Sequence, residues 1–560
     1  MKLNLFHRMQ GIMVRSWRTG GLMTLLKNIL FVALILGGLA ALGASLVPPK
    51  VARHVAGESV APPDDEFTET VNRVDKAFAS TWIREGIQPA LPADDLTVAR
   101  RLSLGLTGTI PSLEEVRRIE ALPSEERLPW WINHLLKDRR YADFVAERFA
   151  RTFVGTENGP FIFFRRRKFV LWLAAEIARN RPYDEIVRDL ITTEGLWTDK
   201  PATNFVTVTI EPDNKEKRNQ PDPIRLAGRV TRAFLGLRLD CAQCHDHPFT
   251  HWKQGDFEGL AAFFGQTHVG FRGVYDGPGE YKVQDRKTQE FRVVEPRVAL
   301  APELLPAEGT LRQRLATWVT HRENPWFAKA TVNRVWAILC GQPLVTPIDN
   351  LESAEAPPEA LGILADDFAR HGYDLARLVR LIANTRTFRH ESVSRLDSSE
   401  KAEKTWACFP LTRLRPEQMA GSVIQAASVP TIDAESHLLT RLFRYGEQND
   451  FVKRYGDSGD DEFDGRGGTI PQRLVMMNGK LVREKSQGGP FNTSTRVDWL
   501  AGNDQTALEA LFLATLTRRP DAEEMAHFSQ ALANPPRGRG HQIQDIFWAL
   551  VNSTEFSWNH

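Results

Sequence analysis

Apolar residues recur at three- and four-residue intervals along most of this chain, and that period predicts a mainly α-helical protein. Ser112, followed three positions later by Glu115, has the form of a capping box and predicts a helix start. Trp131, Leu135, Phe144 and Phe149 carry helical spacing across 130–153, and 169–178 and 183–191 predict two further helices. The run Phe205-Val206-Thr207-Val208-Thr209-Ile210 is short and β-branched, which predicts a strand or an extended edge. A helix is expected over 224–235, and another opens at Gly255-Asp256-Phe257 with Leu260, Phe263 and Phe264 on its apolar face. Between Gly270 and Val298 the period changes, and 280–283 with 291–294 predict a β-hairpin insertion.

The second half is punctuated more clearly. Pro325 suits the first turn of a helix bearing Val332, Val335, Trp336 and Leu339, and Gly341 is placed to stop it. Leu361, Leu364 and Phe368 make a helix ending near Gly372, and Asp374 can cap the next, with Leu375, Leu378, Val379 and Ile382 as its stripe. Leu508, Leu511 and Phe512, then Ile543, Ile546, Phe547 and Leu550, form two more amphipathic faces.

The N-terminus breaks the amphipathic pattern. From Ile29 to Val47 the chain runs nineteen residues without a charge, about 28 Å as a helix and close to the apolar thickness of a bilayer. Lys2, Arg8, Arg15, Arg18 and Lys27 precede it, and the first acidic residue is Glu58, so the basic flank is expected to stay in the cytoplasm. Ala41-Leu42-Gly43-Ala44 offers a signal-peptide cleavage site as an alternative, but the long basic segment and long apolar run favour an uncleaved anchor. The expected layout is a cytoplasmic basic segment over 1–28, a transmembrane anchor over 29–47 and a stalk over 48–66. A helical domain over 67–270, the hairpin and linker over 271–304, and a second helical domain over 305–560 follow. The protein is thus expected in the cell membrane as a single-pass chain, with its bulk on the periplasmic side.

Composition adds exclusions. Lys and Arg number 71 against 70 Asp and Glu, a balance that gives no basic footprint for nucleic acid. The run Arg165-Arg166-Arg167-Lys168 reads as a solvated face. Four cysteines make no disulfide scaffold. Cys340 and Cys408 read as small buried hydrophobes, with a bridge between them as the alternative.

The chemistry concentrates in Cys241-Ala242-Gln243-Cys244-His245, the attachment signature of c-type haem. Two thiols three positions apart reach the two vinyl groups of a porphyrin, and the following imidazole offers a nitrogen to the iron. His247 and His251 place three histidines within seven residues. A metal centre is therefore the second reading, with Cys241, Cys244, His247 and His251 holding zinc and His245 also available. A redox dithiol ranks third, because a helix leads into the cysteines, whereas thioredoxin-like pairs open one. His251, His268 and the pair Met476-Met477 are candidates for a second axial ligand. The acidic patch Asp457, Asp460, Asp461, Glu462 and Asp464 fails as an EF-hand, since the twelfth position from Asp460 is Pro471. Gly465-Arg466-Gly467-Gly468 lacks the context of a phosphate loop, and no nucleophile elbow or zincin motif assigns a catalytic residue. Whether the chain is an enzyme stays open.

Several blocks carry a family resemblance. Arg101-Leu102-Ser103-Leu104-Gly105-Leu106-Thr107-Gly108, Leu136-Lys137-Asp138-Arg139-Arg140-Tyr141, Ala233-Phe234-Leu235-Gly236-Leu237, the segment 241–249 and Gly259-Leu260-Ala261-Ala262-Phe263-Phe264 resemble the planctomycete cytochrome-c-associated domain of unknown function. Asn324-Pro325-Trp326-Phe327-Ala328, Val332-Asn333-Arg334-Val335-Trp336, His371-Gly372-Tyr373-Asp374-Leu375, Leu414-Arg415-Pro416-Glu417-Gln418 and the segment 548–556 resemble its usual C-terminal partner domain. The resemblance implies export and a two-domain layout; the family has no settled activity. Thr250 stands where many members carry an acidic residue, which weakens a metal-binding role there. The expected function is a haem-bearing redox or electron-transfer component with a cytochrome or other redox protein as partner. The alternative is a scaffold of an exported assembly, with a structural metal in the Cys/His cluster.

Overall fold

The computed structural model describes residues 27–38 and 64–560, apart from 157–163, 212–219, 247–250, 285–287, 355, 394–398, 457–462 and 464–467. The chain divides into two units, 1–59 and 60–560. In the first, 27–38 is helical and exposed. The rest of the expected anchor, from 39 on, and most of the stalk lie outside the described residues. Among the described residues no helix is long and apolar enough to cross a membrane.

The second unit is mainly helical, with three two-stranded sheets. It opens with the helix Asp65–Glu85, capped by Asp64, whose carboxylate accepts the Phe67 N–H at 2.6 Å. Phe67, Val74, Phe78 and Trp82 form its buried stripe, and it packs on the helices Glu359–Arg370 and Leu375–Asn384 of the second half. The expected caps hold: Ser112 Oγ accepts the Glu115 N–H at 3.0 Å while Glu115 Oε2 accepts the Ser112 N–H at 2.8 Å. Asp374 caps its helix through the Arg377 N–H at 2.9 Å, and Gly341 ends Pro325–Cys340 in the left-handed region at φ +80°.

One expectation fails. Residues 205–210 are not a strand: a 3₁₀ turn, Pro201–Thr203, runs into the short helix Asn204–Thr207. Asn204 explains the difference, because its amide donates to the carbonyls of Trp197 and Pro201 at 3.1 and 2.8 Å and accepts the Arg165 N–H at 2.7 Å. That network fixes a turn, and complete burial of Phe205, Val206 and Thr207 outweighs their β propensity.

The expected hairpin is present as Lys282–Gln284 paired with Phe291–Val293. A second hairpin, Thr267–Gly270 with Gly273–Asp276, precedes it. Gly273 there is at φ +90°, and a Cβ would lie 2.0 Å from the Gly195 carbonyl oxygen, so only glycine permits the bridge between Gly195 and Val274. The buried Arg312 fastens this hairpin, donating to Asp276 Oδ1 at 2.7 Å and to the Ile191 carbonyl at 3.0 Å.

Buried apolar side chains form two clusters. The first runs from Phe67 to Phe409 and includes helices from both sides of the hairpins; the second runs from Leu414 to Phe556 and takes in Leu104 and Ile110. The helix Asp95–Thr107 therefore belongs to both. Its adjacent buried arginines reach the chain's last segment: Arg100 donates to the Thr515 carbonyl at 3.0 Å and the Phe556 carbonyl at 3.3 Å. Arg101 donates to the carbonyls of Phe388, His390 and His560 at 2.9, 2.7 and 2.7 Å. Burial lowers both guanidinium pKa values, to about 10 and about 9, which leaves them charged near neutral pH.

Arg101→Ala is expected to cost about 3–5 kcal/mol, since it leaves three carbonyls without a donor and a cavity under Phe409. The midpoint of urea unfolding measures this, and a loss of under about 1 kcal/mol would remove Arg101 from that role. Glu115 gives a pH dependence. Its burial favours the neutral form, but the ion pair with Arg140, together with His134 and the Ser112 N–H, holds its pKa at about 2 against an ordinary 4.5. The carboxylate thus stabilises the fold fully above pH 4.5, and that contribution is lost as pH falls from there toward 2. Glu115→Gln is expected to lower stability at neutral pH and to flatten this acid arm in denaturation curves taken across that window.

Candidate cysteine and histidine site

The segment carrying the motif is set by the helix before it. Asp222 caps Pro223–Val230, accepting the N–H of Ile224 at 2.9 Å, and the helix continues through a π turn, Thr231–Leu235. Gly236 ends it at φ +63°, where a Cβ would lie 3.0 Å from Leu351. Leu237, Leu239 and Ala242 are buried, and the 3₁₀ turn Asp240–Gln243 follows. With Leu239 and Ala242 turned inward three positions apart, Cys241, Cys244 and His245 are left exposed.

His245 is oriented locally. Its Nδ1 lies 2.7 Å from the Asp246 carbonyl oxygen, which can only accept, so Nδ1 carries a proton, and in the neutral tautomer this contact selects, the lone pair is on Nε2. Asp246 in turn accepts the Gln254 N–H at 2.9 Å, at the first turn of Gln254–Ala262. Trp252 is buried, and its indole N–H donates to Glu352 Oε2 at 2.8 Å. Arg238 pairs with Asp349 at 2.7 Å, and the Leu351 N–H donates to the Gly236 carbonyl at 2.8 Å. Residues 349–352 thus brace the motif from a part of the chain a hundred positions away.

The other expected ligands fall in different places. His251 is exposed, its ring 4.7 Å from that of Trp252. His247 and Thr250 lie outside the described residues, as does the acidic patch around Asp460. His268 sits on the first hairpin, with Nε2 3.1 Å from the Pro278 carbonyl and its ring against Tyr275. Met476 is buried in the second cluster, while Met477 is exposed. Cys340 and Cys408 are buried thiols with no bridge between them, and burial pushes Cys408 up to about 11 and Cys340 well above the thiol range. Of the basic run, Arg166 forms a two-bond pair with Glu147 at 2.8 and 3.0 Å, and Arg167 is exposed.

Among the described residues, ligand-type atoms converge within 4.8 Å of one another at Glu66, Asp367 and His371, and at Glu115, His134 and Asp138. Sequence spacing revealed neither. Both are ion-pair networks already supplied with cations. Arg377 grips both oxygens of Asp367 at 3.0 Å, and Arg140 joins Glu115 to Asp138. The capping box was the readable signal for Glu115; Asp138, which caps its own helix through the Arg140 N–H at 2.7 Å, and the arginine that unites the two were not read.

Exposure separates the four thiols. In the protein without a bound group, iodoacetamide is expected to label Cys241 and Cys244 in the folded state and Cys340 and Cys408 only after denaturation. Peptide mapping by mass spectrometry reads the order, and labelling of Cys340 at a rate equal to Cys241 would contradict the packing described.

Two family models match the chain. Residues 73–269 match PSCyt2, described as a protein of unknown function (DUF1549), and residues 311–455 match PSD1, described as a protein of unknown function (DUF1553). No curated protein and no solved structure matches the chain. The motif lies within the first match, and its brace, residues 349–352, lies within the second. The chain therefore carries the two domains in that order, PSCyt2 followed by PSD1, as the sequence blocks led one to expect.

Proposed function

We propose that this protein is a membrane-anchored, exported redox component that carries one haem c, with Cys241 and Cys244 as the thioether positions and His245 as the proximal ligand. The observation that carries the reading is the bond from His245 Nδ1 to the Asp246 carbonyl at 2.7 Å. A histidine that ligates through Nε2 ordinarily gives its other N–H to a carbonyl or carboxylate, which fixes tautomer and ring direction. Exposure of both thiols on a short turn whose flanking residues Leu239, Ala242 and Trp252 are buried also fits attachment of a large planar group.

When bound, haem would supply a one-electron couple. The chain's own part is to hold and orient. Asp246 fixes His245 and is itself held by the Gln254 N–H, while the Trp252–Glu352 and Arg238–Asp349 pairs keep the turn in place. Export rests on the apolar run 29–47 and its basic flank, and it would place the thiols where haem attachment and a cytochrome partner are accessible.

The full chain, purified from a host with haem-maturation machinery, is expected to show a Soret band and a covalent haem mass on the peptide containing Cys241 and Cys244. The double substitution Cys241→Ser and Cys244→Ser should abolish both. Stoichiometric zinc with no Soret band would overturn the haem reading in favour of a structural metal in a scaffold.

A further inference from the structure

We infer that His390 makes the seam between residues 90–93, 389–391 and 407–409 an acid-sensitive latch, which opens when the buried imidazole takes up a proton. Three stretches far apart in sequence run side by side in this seam. The Ala90 N–H donates to the Ala407 carbonyl at 2.7 Å, and the Glu391 N–H to the Leu91 carbonyl at 2.7 Å. The Ala93 N–H donates to the Arg389 carbonyl at 2.8 Å and the Phe409 N–H to the Glu391 carbonyl at 3.1 Å, while Pro92 bridges to His390. These bonds fasten the loop between the helices Asp65–Glu85 and Asp95–Thr107 to the second half of the chain.

His390 has no place for a positive charge. The residue is 4% exposed, its ring centroid lies 5.4 Å from that of Trp82, and its carbonyl is one of those held by Arg101. The Ala407 backbone supplies a hydrogen bond to the ring, and Nδ1 is buried without a partner among the described residues. The charged groups that act on the ring are both cations, Arg386 from the preceding turn and Arg101 from the facing helix. Nearby acids act on other groups: Asp94 and Glu391 on Arg101, Asp75 on Arg386 and Glu403 on Cys408. Other histidines set against charge do have a carboxylate. His134 lies 3.8 Å from Glu115, His371 3.4 and 3.3 Å from Glu66 and Asp367, and His560 3.7 Å from Glu555.

Protonation of the closed seam adds a cation beside two others and creates an N–H with no acceptor, whereas opening brings water to both. Burial, reinforced by Arg386 and Arg101, accordingly lowers the imidazole pKa from 6.5 to about 4 in the closed form. The open seam takes up the proton near the ordinary value. The latch is therefore fully held above pH 6.5, and its stability falls as pH drops from there toward 4. Most of that window lies above the one governed by Glu115, so the two acid effects separate. The inference does not depend on haem.

The test is amide hydrogen exchange of the full chain at pH 7 and pH 5, each corrected for the intrinsic exchange rate at that pH. Peptides reporting the Ala90, Glu391 and Phe409 amides are expected to lose about tenfold in protection at pH 5. The helix Asp504–Thr515, in the other apolar cluster, should keep its protection. His390→Gln, which cannot be charged, should remove the pH dependence, and Arg386→Gln, at an exposed position, should reduce it. Unchanged protection of the three amides, an equal loss in Asp504–Thr515, or a loss of the same size in both variants would each overturn the latch.

Discussion

Two adjacent guanidiniums buried on one helix hold the beginning of the folded region to its end. Arg100 and Arg101 face opposite clusters of the core from Asp95–Thr107, and their hydrogen bonds run to backbone carbonyls near residues 388–390, 515 and 556–560. Burial of a charge is costly, and it persists only where hydrogen bonds are dense and directed. Carbonyls supply that here. Those of Phe388, Thr515 and Phe556 lie in the last turns of their helices and those of His390 and His560 outside any helix, where no intrahelical donor reaches them, so one arginine satisfies several groups that would otherwise lack partners. Aromatic faces complete the shell, with Phe409 3.9 Å from the Arg101 guanidinium.

The same economy explains how two family domains share their interior. Phe78 and Trp82, at the start of the first domain, pack with Trp336 and His390 from the second, and Thr70 bonds to Asp367 across nearly three hundred residues. The hairpin Thr267–Asp276 begins at the end of the first matched stretch and runs beyond it, and it is tied to Gly195 on one side and to Arg312, in the second matched stretch, on the other. Removing either domain would expose apolar surface that only the other covers.

The legible parts of the fold were those governed by local chemistry. Ser112 with Glu115, Asp374, and Pro325 with Gly341 fixed helix ends because caps act within one turn. The later hairpin was readable from alternation between turn residues. Residues 205–210 were misread because Asn204, a residue typical of turns, decides their conformation through bonds to Trp197 and Arg165, and propensity has no knowledge of those partners. The first hairpin hides for a related reason: its strands are four residues long and are fixed by Gly195 and Arg312. At the site, spacing singled out Cys241, Cys244 and His245. It could not supply their bracing by Asp349 and Glu352, which sequence separates by more than a hundred positions.

That bracing bears on why exposed thiols can be precise. A loop held only by its own backbone would sample many arrangements, and the proposed group on two sulfurs and one imidazole would need all three in register. Here the buried residues on either side, Leu239 and Ala242 before and Trp252 after, pin the ends of the segment to the core. The polar contacts then act outside that core: Arg238 on Asp349, the indole of Trp252 on Glu352, Asp246 on the start of the following helix. Packing and chemistry are divided by the three-residue period of one short turn, with Leu239 and Ala242 buried and the positions between and after them exposed. The small residue Ala242 is the hinge of this division, since its burial is what turns Cys241 and Cys244 outward together.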